Sequence, residues 1–373
     1  MSKRKDLIIK LKDKDPSDYK MLLGFDGFVD EIIHVVDKRQ DPENFTRVKT
    51  IKEFAKKIER ASGLSSNIEF VPINTKLGGN GPIMCNALSK HNPDLTYIGT
   101  LGYPNIHSVF VPLTKKAKVY TIEKYGDTQA VEFNDGKLIV GKMNTLTNVN
   151  YDHLLDIVGE ETLVELLNIS DLFATVNWSM LPYMTDIWKN IIKNILPKLE
   201  KKEVSPIMFV DLADPEKREP QDIIDALNLL KQFKSYFRVV LGLNKKEAYD
   251  VASILGLFTE KEVNDKSLQE VNEALYNYLQ IDYVVVHPVE RSSVVFKGQY
   301  YEEDGPYIAE PKLTTGAGDN FNAGFVTGLL LGLEPNEALL TGMSTSGYYV
   351  RNADSPNYDE LIQFIDDWTN NKI

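Results

Sequence analysis

The sequence predicts an α/β fold: a mainly parallel central sheet flanked by helices, with a small additional β-sheet. Three observations predict it. Short runs rich in Val, Ile, Phe and Tyr alternate with longer stretches whose apolar residues recur at three- and four-residue spacing. Two segments break that rhythm and read as β-ribbons. Late in the chain a glycine-rich turn, TTGAGD at 314–319, runs straight into an apolar helix.

The elements follow in order. MLLGF (21–25) is the first strand, ending at Gly24 and Asp26, and GPIMCNALSKH (81–91) is a helix. TYIGTLG (96–102), DLFATVNW (171–178), PIMFVDLA (206–213), FRVVLGLN (237–244) and DYVVVHP (282–288) are strands closed by polar or glycine turns. Between them, residues 151–168, 184–200, 221–233, 246–257 and 267–280 have helical spacing. SSVVF (292–296) is a further strand and NFNAGFVTGLLLGL (320–333) a helix. Alternation of this kind builds a parallel sheet covered on both faces. The ribbons lie at 31–48 and 117–142, and the second contains FNDGKLIV, a hairpin signature with Asp135-Gly136 at the turn. No Pro/Ser/Gly-rich linker divides the 373 residues, so one domain, 1–373, is expected, carrying the small sheet on segments 27–48 and 115–142.

Composition narrows the partners. Lys+Arg 42 against Asp+Glu 54 gives a net charge of −12, which argues against a nucleic-acid binder and against attraction to an anionic membrane surface. Cys85 is the single cysteine, so no intrachain disulfide forms and a reducing, cytoplasmic setting is expected. The charged N-terminus does not read as a signal peptide, and no apolar run is long enough to span a membrane.

The chemistry concentrates at 314–319. Gly316, Ala317 and Gly318 fall at a helix N-terminus, where free backbone N–H groups and the macrodipole favour an anion. Asp319 then has two readings: a carboxylate that caps the helix, or a catalytic base beside a phosphate cradle. Against the positive end of a helix it should be ionised and a weak base, which phosphoryl transfer tolerates because its transition state is loose. The small residues Ala323, Gly324 and Gly328 read as helix-packing positions, and Cys85 as a buried helical residue.

TTGAGDNFNAGF resembles the C-terminal signature of the ribokinase-like (phosphofructokinase-B type) carbohydrate kinases, and the resemblance extends over residues 20–355. It implies a ribokinase-like fold whose small β-sheet is a lid. The implied activity is transfer of the γ-phosphoryl group of ATP to a hydroxyl of a carbohydrate. Asp319 is then the base, the N–H groups of Gly316, Ala317 and Gly318 stabilise the phosphoryl charge, and Thr315 contacts a phosphate. GLNKKEAYD (242–250) matches the family's N-x-x-E motif, which gives Asn244 a place beside the nucleotide and lets Asn244 and Glu247 hold Mg²⁺ through water; the same spacing also fits a capping box.

The family's substrate aspartate maps to Asp26 or Asp30, with Asp30 favoured, and either also fits a turn. Gly78 and Gly79 match the di-glycine that touches the sugar, with Asn80 and Asn86 beside it. Asn352 falls on the adenine side.

The chain departs from the family pattern at four places. Leu313 replaces an aspartate that helps bind a monovalent cation, which argues against such activation. GYPNIHS replaces an acidic pair with glycine near Gly102. His287-Pro288 replaces a threonine-x-glycine turn near the nucleotide, and the D-x-N-x-R turn survives only as DLADPEKRE, with Asp211, Lys217 and Arg218.

Two other functions are open. One is a nucleoside kinase of the same fold, with Phe25, Phe28 or Tyr103 as platform for a base; the other is a sugar-binding homologue without turnover. Exposed lid edges would also allow a homodimer.

Overall fold

A computed structural model describes residues 3–373. Its strands are β1 (Lys20–Phe25), β2 (Phe28–Arg39), β3 (Phe45–Arg47), β4 (Phe70–Gly78), β5 (Asp94–Gly99), β6 (Lys118–Thr121), β7 (Gly126–Phe133), β8 (Gly136–Lys142), β9 (Leu172–Thr175), β10 (Ile207–Asp211), β11 (Arg238–Leu243), β12 (Tyr283–Val286), β13 (Arg291–Phe296) and β14 (Gln299–Asp304). The apolar runs form the larger sheet, in the order β14-β13-β12-β11-β10-β9-β1-β5-β6. From β12 to β6 every pair is parallel, and β13 and β14 close one side antiparallel. Its central strands are buried on both faces: every residue of β9, β10 and β12 is buried, and all but Thr175, Asp211 and Tyr283 are wholly apolar.

Helices cover both faces. One side packs around Phe173, Trp178, Trp188 and Phe233; the other packs Met84, Tyr97, Phe321 and Phe325. Each such fully buried large side chain contributes about 1.5–3 kcal/mol of transfer free energy. The Ala317–Leu330 helix lies close against Pro335–Asn352, because a Cβ on Gly324 would come 2.8 Å from the Thr341 carbonyl oxygen and one on Gly328 2.8 Å from Ala338 Cα. An N-terminal helix, Lys3–Lys12, packs Leu7 and Leu11 against Leu361 and Ile365 of the last helix, Tyr358–Thr369. Among the described residues no helix is long and apolar enough to cross a membrane.

The smaller sheet has β2 at its centre, pairing β7 in parallel and β3 and β4 antiparallel, with β8 outside β7. It has its own core of Val35, Val48, Phe54, Val131 and Phe133. It differs from the expected lid in two ways. Residues 118–121 join the larger sheet beside β5, and β4 is an additional strand outside both expected segments.

Three boundaries also move. The hairpin register pairs Phe133 with Gly136, so Asn134-Asp135 make the turn, one residue earlier than expected. The helical stretch 151–168 breaks at Gly159, whose φ of 84° lies in the left-handed region, giving Tyr151–Val158 and Glu160–Ile169. The 184–200 stretch starts as an α-helix at Met184–Asn190 and loosens into π and then 3₁₀ turns before Leu199.

Candidate active site

Parallel register places the carboxyl ends of β1, β9, β10, β11 and β12 along one edge of the sheet. Asp26, Asp211, Asn244 and His287 lie at or just beyond those ends, where open α/β sheets bind ligands. A cleft of about 560 Å³ opens there, with the lid at one end. Asp30, Gly79, Asn80, Asp211, Asn244, Glu247, Asp319 and residues 314–318 line it.

The 314–319 turn builds an anion cradle that differs in one detail from the expected one. Gly316, at φ 91°, is the helix N-cap, and a Cβ there would come 3.0 Å from the Tyr349 hydroxyl and 3.1 Å from Ile83. The Ala317 N–H is not free: it donates to the Thr314 carbonyl at 3.0 Å. The donors left without a protein partner among the described residues are the N–H groups of Gly316, Gly318 and Asp319. Tyr349 fixes the turn by donating to the Thr315 carbonyl at 2.8 Å, and Asn320 does so by donating to the Gly316 carbonyl at 2.9 Å.

Asp319 is a first-turn residue of the helix rather than its cap, only 6 % exposed, and it accepts from Asn80 Nδ2 at 2.9 Å. That bond joins the glycine-rich segment 78–81 to the cradle. Burial, then the negative charge of Asp211, pushes the Asp319 carboxyl well above its ordinary range. In the ligand-free site burial and the neighbouring carboxylates thus work against the ionised form expected at a helix N-terminus.

Glu247 and Asn244 form a true capping box and also line the cleft. Asn244 Oδ1 accepts from the Glu247 N–H, and Glu247 Oε2 accepts from the Asn244 N–H, both at 2.9 Å. The other Glu247 oxygen accepts from the Asp214 N–H at 3.1 Å. Asp211 closes β10 and accepts from the Ala213 N–H at 2.9 Å and from Asn322 Nδ2 at 2.8 Å. Between them, Ala213 and Asp214 both hold positive φ, 55° and 54°, so the two carboxylates tie down a strained turn. Burial first, and mutual repulsion next, raises Glu247 to about 8; burial raises Asp211 to about 6.

These carboxylates fit a divalent cation held chiefly through water and phosphate oxygens. Among the described residues no three acidic, His or Cys side chains are arranged to ligate a metal directly, and Mg²⁺ needs few protein ligands. The sequence flagged Asp211 only as a motif remnant, although a carboxylate ending the apolar run IMFV was the available signal. Lys217 and Arg218 are not part of the cleft lining: Lys217 pairs with Asp214, and Arg218 with Asp222 and over the Trp178 ring.

At the lid end the two candidate aspartates separate. Asp26 is fully buried and faces inward. It accepts from the Gly81 N–H at 2.9 Å, Asn177 Nδ2 at 2.7 Å and the Tyr97 hydroxyl at 3.3 Å, and burial lifts it to about 6. Asp30 lines the cleft instead, partly exposed, near Lys76, which it faces across the β2–β4 pair. The di-glycine makes room for both: a Cβ on Gly78 would lie 2.3 Å from the Asp30 carboxylate, and one on Gly79 2.8 Å from that of Asp26.

The opposite end is apolar, walled by Pro288, Val289, Tyr307, Ile308 and Val350. Asn352 is exposed, bonds to the Tyr348 carbonyl and does not line the cleft; Ser346, Gly347 and Val350 of the same helix do. His287 packs its ring on Phe321 at 4.7 Å, below Gly318, and burial lowers it to about 4, so it is neutral. Phe25 and Phe28 are core residues, and Tyr103 stands outside the cleft lining, so none offers a platform for a nucleoside base there.

Known proteins resemble the chain over most of its length. The chain is 26 % identical over 347 residues to a ketohexokinase of Haloferax volcanii, covering 92 % of this chain and 90 % of that protein. It superposes with a TM-score of 0.64 on Arabidopsis thaliana ribokinase complexed with ribose and ATP, at 13 % identity, covering 94 % of this chain and 99 % of that one. It superposes with a TM-score of 0.59 on a putative E. coli ribokinase II in complex with ATP and Mg²⁺, at 13 % identity and with 94 % and 99 % coverage. The fold is therefore ribokinase-like. The family model described as prokaryotic ketohexokinase matches residues 11–368, a span that includes every strand and the whole cleft. On that match the chain is a member of the prokaryotic ketohexokinase family and a carbohydrate kinase, a phosphotransferase with an alcohol group as acceptor.

Proposed function

We propose that this ATP-dependent sugar kinase phosphorylates a ketohexose, with Asp319 taking the proton of the attacking hydroxyl. One observation carries the site assignment: Asp319 and three unpartnered N–H groups occupy the same helix turn and face the same cleft. The apolar end suits the nucleotide base, and the lid end, with Asp30 and Asn80, suits a polyol, so transfer takes place between them. The N–H groups of Gly316, Gly318 and Asp319 stabilise the transferring phosphoryl group, each such donor being worth roughly 2.7–4 kcal/mol in a desolvated site. Thr315 and the Asn244 amide border the phosphate path.

When bound, Mg²⁺ would supply positive charge to offset the negative charge of the phosphates, a reading supported by the fold's likeness to a putative E. coli ribokinase II in complex with ATP and Mg²⁺. Glu247 and Asp211 would hold its waters, with Asn244 beside them. Asp30 accepts sugar hydroxyls, while Asp26 acts from behind, fixing the Gly79–Gly81 turn and through it Asn80. Lid closure excludes water from the phosphoryl group.

We place the enzyme in the cytoplasm on its single buried thiol, Cys85, and as a homodimer joined through the lid. The lid reading rests on the open edge of β8, where Val140 is 55 % exposed. The function is tested by ADP release with Mg²⁺ over ketohexoses, aldohexoses, pentoses and nucleosides. A ketohexose should give the highest kcat/KM. A nucleoside as best acceptor contradicts the proposal, and sugar binding without ADP favours the sensor.

A further inference from the structure

Asn322 has a role that the motifs do not assign. It sits one turn after Asp319 on the Ala317–Leu330 helix, has no exposed surface, and spends its amide on a single contact: Nδ2 donates to Asp211 Oδ2 at 2.8 Å. Its Oδ1 has no hydrogen-bond partner. That oxygen lies in a niche that exists because residue 242 is glycine; a Cβ there would come 3.2 Å from Asn322 Oδ1 and 2.7 Å from the Phe209 ring. A buried amide satisfied on one side only is a poor way to stabilise a core.

We infer that Asn322 is a positioning residue that turns Asp211 toward the metal–triphosphate, so that one helix sets both the base and a metal carboxylate. Asp211 Oδ1 is held by the Ala213 N–H at 2.9 Å and Oδ2 by Asn322, which fixes the plane of the carboxylate at the end of β10. With both donors in place Asp211 presents its remaining lone pairs to the cleft it lines. This rests on the metal reading of Asp211 and Glu247 given above. Groups that orient metal carboxylates act on metal affinity more than on the fold.

The test titrates Mn²⁺ into the protein with a non-hydrolysable ATP analogue, reading free Mn²⁺ by electron paramagnetic resonance and Tm by calorimetry. Asn322→Leu keeps the bulk and removes the donor, and it should weaken Mn²⁺ binding about tenfold or more, with Tm lowered by no more than the loss of one hydrogen bond accounts for, a few °C at most. Asn322→Ser restores a donor and should fall between Asn322→Leu and the wild type. Wild-type Mn²⁺ affinity in Asn322→Leu overturns the inference, as does a loss accompanied in both variants by a fall in Tm larger than one hydrogen bond accounts for. Glu247→Gln is run beside them: undiminished Mn²⁺ binding there overturns the metal reading itself, while a loss there with Asn322→Leu unaffected overturns only the role of Asn322.

Discussion

Four carboxylates, Asp26, Asp211, Glu247 and Asp319, are buried around one small volume, and all are raised above their ordinary values, first by desolvation. The consequence for stability has a definite sign. A native state whose carboxyls have raised pKa values holds protons that the unfolded chain has already lost. The contribution of these groups is thus fully present below the ordinary carboxylate range and is lost as pH rises through about 6 for Asp26 and Asp211 and about 8 for Glu247. The ligand-free enzyme should therefore show a lower Tm at pH 8.5 than at pH 6 by roughly 3 °C or more, and Mg²⁺ with ADP should narrow that gap. Calorimetry of both forms at both pH values checks this; a Tm that is flat or rising with pH, or a gap that Mg²⁺ and ADP leave intact, contradicts it.

At the scale of elements, the parallel sheet was readable because its strands are buried on both faces and so appear as unbroken apolar runs. The lid was only half readable. β4, FVPINTKLG, is exposed over most of its length and holds Pro72 and Asn74, so neither alternation nor hydrophobicity marks it as a strand; pairing with β2 makes it one. The segment 118–121 carries the same ribbon-like composition as the lid strands, and only its partner, β5, assigns it to the larger sheet. The site follows the same logic. Asp319, Asn80 and Glu247 stand in local motifs, whereas Asn322, Tyr349 and Asn177 act through partners far along the chain: Asp211, Thr315 and Asp26. The Ala317 N–H was misassigned because a helix start predicts free donors but does not reveal that a turn carbonyl, Thr314, has claimed one.

For the whole molecule, the lid and the body meet at the cleft through Asp30 and Ile139 on one side and the Thr314–Asp319 turn on the other. A lid with an unpaired outer strand, on which Val140 is exposed on the face opposite Ile139, invites a second copy. Sedimentation at micromolar concentration should give a dimer, and Val140→Lys should shift it toward monomer; a wild-type monomer would rule the assembly out. The account depends most on the division of labour within a single helix turn, with backbone N–H groups serving the phosphoryl group and Asp319 serving the hydroxyl. Single-turnover phosphorylation of the best ketohexose by Asp319→Asn, with ATP affinity measured in parallel, tests that division most directly. The prediction is a rate lower by about 10³-fold or more, within the range set by general-base and charge effects together, and an ATP Kd close to that of the wild type. A rate within tenfold of the wild type would contradict it.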